Sequence, residues 1–506
     1  MASEQVIEPR AAALSPAKRV LLQARLNGLH RTAPIARHEP RDQAPTSFAQ
    51  ERLWFLDRVG HGGAAYNLAV PLRISGALDV RALECALGNI VERHGALRTI
   101  FREIDGVPVQ IIQPFNGFML RQIDVSALAE SEREAEARRF AIEDGTRPFD
   151  LSAGPLMRAT LLRLALEEHL LLLCMHHIVS DGWSMGVFFR ELWAGYDAYR
   201  VGGAPQLPEL SLQYEDFAVW QRSQLQGKLL ERHLDYWKDR LAGAPELLAL
   251  PTDRPRLRVA SFRGSAVPVV VPAGLLDQLR GLARREGATL YMVVLAAFQV
   301  LLARYCGSDD VVVGTLVAGR GRSELQPLIG LFMNTLVLRS DLSGDPTVRE
   351  AIARARETVL GAYEHQDLPF EQVVAEIRPE RNQSYSTLFQ ALFQLETEER
   401  RGSVHDGLHI RGVHLPRQSA KFDLTLDLAA HANGIGGVLE YSTDLFDNDT
   451  ARRMVVHLTR VLEQMVADPL RRLSAIDLLT TAERTEVVET WNQTAVPVAP
   501  QCVHEL

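Results

Sequence analysis

The sequence predicts an α/β protein built from two lobes of similar grammar, and three observations carry that expectation. Apolar runs of strand length alternate with amphipathic helical stretches through the first half. The same alternation resumes in the second half, beyond the Pro-rich joint Leu250-Pro251-Thr252-Asp253-Arg254-Pro255. The length of 506 residues also exceeds what one core serves, since single cores stop growing near roughly 250 to 300 residues.

In chain order, Ser15 and Pro16 cap and open a short helix whose Leu21, Leu22 and Leu26 precede Gly28. Prolines at 34, 40 and 45 make the next stretch a connector, so residues 1–45 form an N-terminal helix and connector. The first lobe, 46–222, holds a helix at Leu83 to Glu92, a strand at Val107 to Ile112 and a charged helix at Ser131 to Ile142. Ser131 and Glu134 have the spacing of a capping box for that helix. Two strands follow, Leu156 to Leu164 and His169 to Met175, then a helix from Met185 to Tyr199. The second of these strands is almost wholly apolar, as expected of one covered on both faces in mid-sheet.

The second lobe, 223–477, opens with a helix at Leu225 to Leu241. It continues through a strand at Ala266 to Val271, helices at Leu275 to Arg285 and Leu290 to Arg304, a strand at Asp310 to Thr315 and a helix at Thr450 to Met465. Residues 478–506 run into a Pro- and Val-rich end without starting a new core, which makes them a connector toward a further domain.

A formal net charge of −8 is the wrong sign for a protein whose affinity comes from phosphate neutralisation, so nucleic acid is excluded as the expected partner. Cys85, Cys174, Cys306 and Cys502 form no CxxC pair, which argues against a zinc ribbon or disulfide framework and fits the cytosol. The most apolar stretch, Leu290 to Ala303, is too short to span a bilayer core of about 30 Å, and residues 1–30 contain no signal-peptide core.

The sharpest local signal is Met175-His176-His177-Ile178-Val179-Ser180-Asp181-Gly182-Trp183-Ser184, between the apolar strand and the helix that follows. It gathers two histidines, an acid and a glycine at a strand end, where α/β folds expose reactive groups, and histidine titrates closest to neutrality. No further ligands with metal spacing lie nearby. Ser180 and Ser184 lack a G-x-S-x-G elbow, so an acyl-serine route is not expected.

His176-His177-x-x-x-Asp181-Gly182 resembles the HHxxxDG signature of nonribosomal peptide synthetase condensation domains. Other motifs follow the family's order: Ser47 to Leu56, Arg93 to Phe101, Tyr214 to Trp220, Ile329 to Thr335 and His365 to Glu371. A seventh, Arg381 to Phe389, departs from the family pattern at its Arg-(Asn/His)-Pro ending. The resemblance covers about residues 14 to 494 and implies two chloramphenicol-acetyltransferase-like lobes in a V-shaped pseudo-dimer with a central tunnel.

It also implies that a donor acyl thioester and the amine of a carrier-bound aminoacyl group meet in the tunnel to form an amide, with no cofactor held by the domain itself. His177 is then the residue that takes the amine proton or orients the amine, Gly182 offers its N–H to the oxyanion, and Asn334 contributes from the second lobe. His176 packs and orients. Asp181 is a structural acid paired with an arginine, Arg98 or Arg339 by motif. Trp54, Phe55, Phe101, Trp183 and Phe332 are expected in core or lobe-interface packing, His365 and Asp367 in fixing a loop. Arg147 is a candidate for the donor side, and Ser442 to Asp447 for the segment crossing between lobes.

The triplet Ile178-Val179-Ser180 resembles both versions that accept a peptide ending in a D-residue and starter domains. Met1 lies 14 residues ahead of the first helix with no carrier domain before it, so the donor is expected in trans. The preferred expectation is a monomeric starter domain that N-acylates the first amino acid of a lipopeptide from acyl-CoA. The alternatives are an elongation domain with a peptidyl donor and a noncatalytic recruitment module. A downstream peptidyl carrier protein and an adjacent adenylation domain are the expected partners, the latter because the segment from Leu478 resembles the linker into one.

Overall fold

The structure, a computed structural model, describes residues 35–37, 42–58, 63–378, 382–396, 404–405, 407–413 and 419–494. The helix expected from Ser15, Arg381, Cys502 and the last twelve residues of the connector lie outside this set. Among the described residues fifteen strands occur in chain order. The first seven are β1 Gln43–Pro45, β2 Asn67–Ser75, β3 Thr99–Ile104, β4 Val107–Ile112, β5 Arg121–Asp124, β6 Met157–Ala165 and β7 Glu168–His176. The remainder are β8 Gly264–Pro272, β9 Asp310–Val317, β10 Asn334–Asp341, β11 Ala391–Glu396, β12 Val404–His405, β13 Leu408–Gly412, β14 Leu424–His431 and β15 Gly434–Ser442.

They form two open six-stranded sheets, ordered β12-β13-β2-β7-β6-β5 and β10-β9-β11-β14-β15-β8, and a small sheet β1-β4-β3. The expectation for the apolar strand holds for a reason visible residue by residue. Leu171, Leu173 and Met175 point into the main first-lobe core, while Leu170 and Leu172 of the same strand enter a separate cluster with Ala137 and Ala141 of the helix Glu130–Thr146. Strand alternation therefore buries both faces of β7. On the main-core side, helices Val80–Arg93 and Gly182–Arg200 cross closely at Gly195, where a Cβ would stand 3.1 Å from that of Ala86.

In the second lobe the helix Leu290–Cys306 is buried from Met292 to Leu302, which is why its sequence is apolar all round. Its N-terminus is capped by Thr289, whose hydroxyl accepts from the Met292 N–H, and Gly307 ends it in the left-handed region. No single helix among the described residues is long and apolar enough to cross a membrane.

The helix expected at Leu225 to Leu241 forms as Gly227–Leu241 and sends Trp237 and Leu241 into the second-lobe core, while the preceding helix Tyr214–Gln224 sends Tyr214 and Phe217 into the first. Three expectations need correction. The charged helix starts at Glu130 with Ala129 at its N-cap, so Ser131 already lies inside the first turn and caps nothing. Ser442 to Asp447 does not cross between lobes, because Leu445 accepts from the Asp253 N–H at 2.9 Å and Asp444 pairs with Arg263, all within the second lobe. Phe55 is not a packing residue, at 51% exposure, whereas Trp183 donates its indole N–H to the Gln326 carbonyl of the loop between β9 and β10 at 3.0 Å, a contact between the lobes.

Two other segments cross instead. β13 adds to the edge of the first sheet by pairing antiparallel with β2, from His409 opposite Ser75 to Gly412 opposite Leu72. The long loop between β9 and β10 leaves the second sheet and buries Leu325, Leu328, Ile329, Leu331 and Phe332 in the first-lobe core. This loop matters most, because it closes over the start of the helix Gly182–Arg200.

Candidate active site

β7 ends at His176, and the chain turns at once into a single 3-10 turn, His177–Val179, before the helix Gly182–Arg200 begins. His176 is buried at 1% exposure, with its Nδ1 accepting from the Ile178 N–H and its ring flanked by Tyr66 and Phe149 at 6.5 and 6.1 Å between centroids. Burial, with His177 and Lys421 acting in the same direction, pushes it down to about 3. Its place in an aromatic box, with one ring nitrogen used locally, fits packing and orientation.

His177 is only partly buried, and its Nδ1 lies 3.0 Å from the Ser180 carbonyl. A carbonyl only accepts, so Nδ1 carries the proton and Nε2 carries the lone pair. Burial first, then the positive charge of Lys421, lowers His177 to about 4 against the opposing pull of Asp181. The imidazole is therefore neutral at physiological pH, the form that accepts a proton.

Asp181 is at the N-cap of the helix, where its Oδ1 accepts from the Ser184 N–H at 2.8 Å. Its Oδ2 accepts from the N–H groups of Phe332 and Met333 at 2.9 and 3.3 Å, and the Arg320 guanidinium reaches Oδ1 at 3.3 Å. Both carboxylate oxygens are thus used in tying the helix start to the crossing loop.

The arginine is a correction. Arg98 instead donates to the carbonyls of Val91, Glu92 and Gln113 and borders a charged cavity of about 620 Å³ that contains neither histidine. Arg339 pairs with Asp310 at 2.7 Å and bonds the carbonyls of Arg240, Ala242 and Gly243 in the second lobe. Sequence reasoning passed over Arg320, which is 139 residues from Asp181 in the crossing loop. It donates to the carbonyls of Leu325 and Leu328, to Ser184 Oγ and to Asp181, and lies 4.0 Å over the Phe332 ring.

The visible signal was Gly319-Arg320-Gly321, an arginine between two glycines. Gly319 has φ +63, and a Cβ there would lie 1.9 Å from the Phe332 carbonyl oxygen, so this tight return of the loop requires glycine. The same closeness recurs where Ser184 Oγ exchanges hydrogen bonds with both the carbonyl and the N–H of Gly330, at 2.8 and 3.1 Å.

Gly182 opens a nineteen-residue helix and is exposed, and among the described residues nothing accepts its N–H. A free N–H at the positive end of a helix dipole suits a developing oxyanion. Asn334 does not stand ready for substrate. Its amide donates to the carbonyls of Gln366 and Leu368, both at 2.8 Å, and its oxygen accepts from the N–H groups of Thr335 and Phe370, so its capacity is used in shaping that loop. His365 also fixes the loop, stacked on Tyr236 at 4.0 Å and bonded to His233. Arg147 is exposed and pairs with Asp144. No group of metal-ligating side chains occurs among the described residues.

A family model described as the condensation domain matches residues 40–488. A linear gramicidin synthase polypeptide of Brevibacillus parabrevis is 48% identical over 98% of this chain, which spans 6% of that protein's length. Among solved structures, the X-domain from teicoplanin biosynthesis, also solved in complex with OxyB, superposes with a TM-score of 0.81 at 32% identity, covering 88% of this chain and 100% of that one. The four-domain nonribosomal peptide synthetase AB3403 superposes at 0.77 with 25% identity, over 90% of this chain and 35% of that one. The two open sheets, the histidine pair at the end of β7 and these likenesses agree: the chain belongs to the condensation-domain family of nonribosomal peptide synthetases, amide-forming acyltransferases with a chloramphenicol-acetyltransferase-like two-lobe fold.

Proposed function

We propose that the domain joins a peptidyl thioester to the amine of an aminoacyl group held on a carrier protein, with His177 accepting the amine proton. The amine nitrogen attacks the thioester carbonyl, the C–N bond forms, the C–S bond breaks, and the proton passes from nitrogen through His177 to the departing thiolate. The observation that carries this is the Nδ1 contact to the Ser180 carbonyl, which fixes the tautomer and leaves Nε2 as acceptor. Gly182 N–H is the candidate donor to the oxyanion, and Asp181 with Arg320 holds the helix start in position.

The substrates of this family ride on phosphopantetheine arms, so the domain supplies proximity, orientation and proton handling and no cofactor of its own. A peptidyl donor is favoured over acyl-CoA by the likeness to a linear gramicidin synthase. The likeness to AB3403 supports adenylation and carrier domains as partners. A recruitment role is favoured by the X-domain likeness and opposed by the presence together of His177, Asp181 and Gly182.

The test offers an aminoacyl carrier protein as acceptor, with peptidyl carriers ending in an L- or D-residue and acyl-CoAs of graded length as donors, read by intact mass. Amide from a peptidyl carrier supports the proposal. Amide from acyl-CoA alone makes this a starter domain of lipopeptide assembly, and none from any donor favours recruitment.

A further inference from the structure

The two rings that flank His176 are fastened to one helix end, an arrangement the proton-transfer step above does not use. The helix Glu130–Thr146 finishes against β2, where a Cβ at Gly145 would stand 3.2 Å from that of Ala69. A helix C-terminus leaves its last carbonyls without N–H partners of their own, and two side chains from neighbouring strands supply them here. Asn67, the first residue of β2, donates its amide to the carbonyls of Gly145 and Arg147 at 2.8 and 2.9 Å. Arg158 of β6 donates to the carbonyls of Asp144 and Arg147, the latter at 2.7 Å, and its Nε meets the Asp144 carboxylate at 3.0 Å. The Arg147 carbonyl thus takes a donor from each strand.

Each anchor carries one wall of the box around His176. Asn67 follows Tyr66 directly and lies opposite His176 in the pairing of β2 with β7. Arg158 spreads its guanidinium over the Phe149 ring at 4.0 Å, and that ring meets His176 edge on at 6.1 Å, with 77° between the planes. His176 in turn accepts from the Ile178 N–H at 3.2 Å, which caps the 3-10 turn that carries His177. Contact therefore runs unbroken from the helix end through Arg158, Phe149 and His176 to the turn of His177.

We propose that Arg158 is a positioning residue for the histidine pair: locked to the end of the helix Glu130–Thr146, it plates Phe149 against His176 and so fixes the turn from which His177 presents Nε2. The inference rests on the proposed role of His177 and adds the frame that aims it.

A guanidinium suits this task because its planar fork bonds carbonyls and a carboxylate along its edges while its face stays free for a ring. A lysine ammonium keeps the charge and offers no such plate. The Arg158 and Asp144 side chains are 13% and 12% exposed, so the pair is little screened by solvent. Arg147 reaches the same carboxylate from the exposed side at 3.3 Å, so Asp144 keeps a cation when Arg158 is replaced.

The test combines two readouts on the full chain. Single-turnover amide formation is measured under saturating peptidyl and aminoacyl carriers for Arg158→Met, Arg158→Lys, Phe149→Leu and the double variant Arg158→Met/Phe149→Leu. The His176 imidazole is followed by NMR with ring-labelled histidine, assigned by its absence in His176→Asn, because the ring current of Phe149 marks its position. Arg158→Met and Phe149→Leu are each expected to slow the bond-forming step by roughly tenfold, a modest misplacement of the reacting groups, with half-saturation by the carriers unchanged and the His176 signal shifted. The double variant is expected to lose no more than the larger single loss, since the arginine acts through the ring. Arg158→Lys is expected to behave as Arg158→Met and is the informative variant if Arg158→Met does not fold.

A double loss equal to the product of the single losses, a His176 signal unmoved in Arg158→Met, or the parent rate retained in Arg158→Lys overturns the proposal. General destabilisation reduces the amount of folded protein and leaves the His176 signal of the folded fraction in place, so it does not imitate the expected result. A shifted signal in a protein that forms no amide from any donor supports the frame and overturns the amide-forming reading instead.

Discussion

Replacing Arg320 by Met tests whether the crossing loop is held by a buried ion pair. In the folded protein this guanidinium donates to two carbonyls, to Ser184 Oγ and to Asp181, and the Arg320 and Asp181 side chains are 1% and 2% exposed. Removing the cation leaves the carboxylate with three N–H donors, those of Ser184, Phe332 and Met333, takes one donor from the Leu325 carbonyl, which keeps the Leu328 N–H, and takes the guanidinium from the Leu328 carbonyl. Breaking a buried pair from one side costs about 3 to 5 kcal/mol. The remaining N–H bonds keep the loss near about 4 kcal/mol, a large part of a typical stability of about 5 to 15 kcal/mol.

Asp181→Asn perturbs the same network from the other side, because its amide must point an NH2 at a donor that now faces an oxygen. Measured by urea denaturation, the double variant Arg320→Met/Asp181→Asn is expected to be less destabilised than the sum of the single variants by about 2 kcal/mol. A cycle additive within about 0.5 kcal/mol would refute the account, since it would mean the two side chains do not share one network.

Three further outcomes are expected. Gly330→Ala places a Cβ 1.9 Å from Cδ2 of Tyr214, whose hydroxyl is tied to the Leu331 carbonyl at 2.6 Å and to Ser47, so the ring has nowhere to go. Thermal unfolding should show a loss of about 3 kcal/mol, partly recovered by adding Tyr214→Leu. Arg339→Met, which breaks the Asp310 pair far from the histidines, should lower the melting temperature and leave the single-turnover rate of amide formation within about twofold of the parent.

The pH dependence has a fixed sign. His176 and His177 lie at about 3 and 4 in the folded protein against roughly 6.5 in the unfolded chain, so between about pH 4 and 6.5 the unfolded chain binds more protons. Stability should be fully present above about pH 6.5 and fall as pH is lowered through that window. Calorimetry at pH 5.5 in buffers of different ionisation enthalpy should accordingly record proton uptake on unfolding.

Much of this site was legible in the sequence because it is local. The run from His169 to Met175 could be identified as a two-faced strand from composition, and the histidines, Asp181 and Gly182 follow within seven residues of its end. What the local pattern could not supply was the partner of Asp181. A carboxylate announces that it needs donors, but those donors arrive from residues 320–333, carried across by a loop whose apolar residues also read as ordinary second-lobe core. Motif order pointed to Arg98 and Arg339, both conspicuous beside strands, and each is occupied in its own lobe.

Asn334 was misjudged for a related reason: its amide is polar enough for catalysis and equally suited to closing a turn, and only the four bonds it makes decide between them. Lys421 left a faint mark, a cation in Ala420-Lys421-Phe422-Asp423 directly before the alternating strand β14. Its Nζ lies 4.5 Å from the centre of the Tyr66 ring in the first lobe, a contact that depends on how the lobes meet and that no segment of sequence encodes alone.

The central claim is that His177 accepts the amine proton through Nε2, and single-turnover amide formation under saturating peptidyl and aminoacyl carriers measures it most directly. The account predicts that His177→Ala slows the bond-forming step by about 10² to 10⁴-fold, with the same loss for a protein refolded to the parent's circular dichroism spectrum. A rate within tenfold of the parent would contradict it, leaving proximity and the Gly182 N–H to carry the reaction without this histidine.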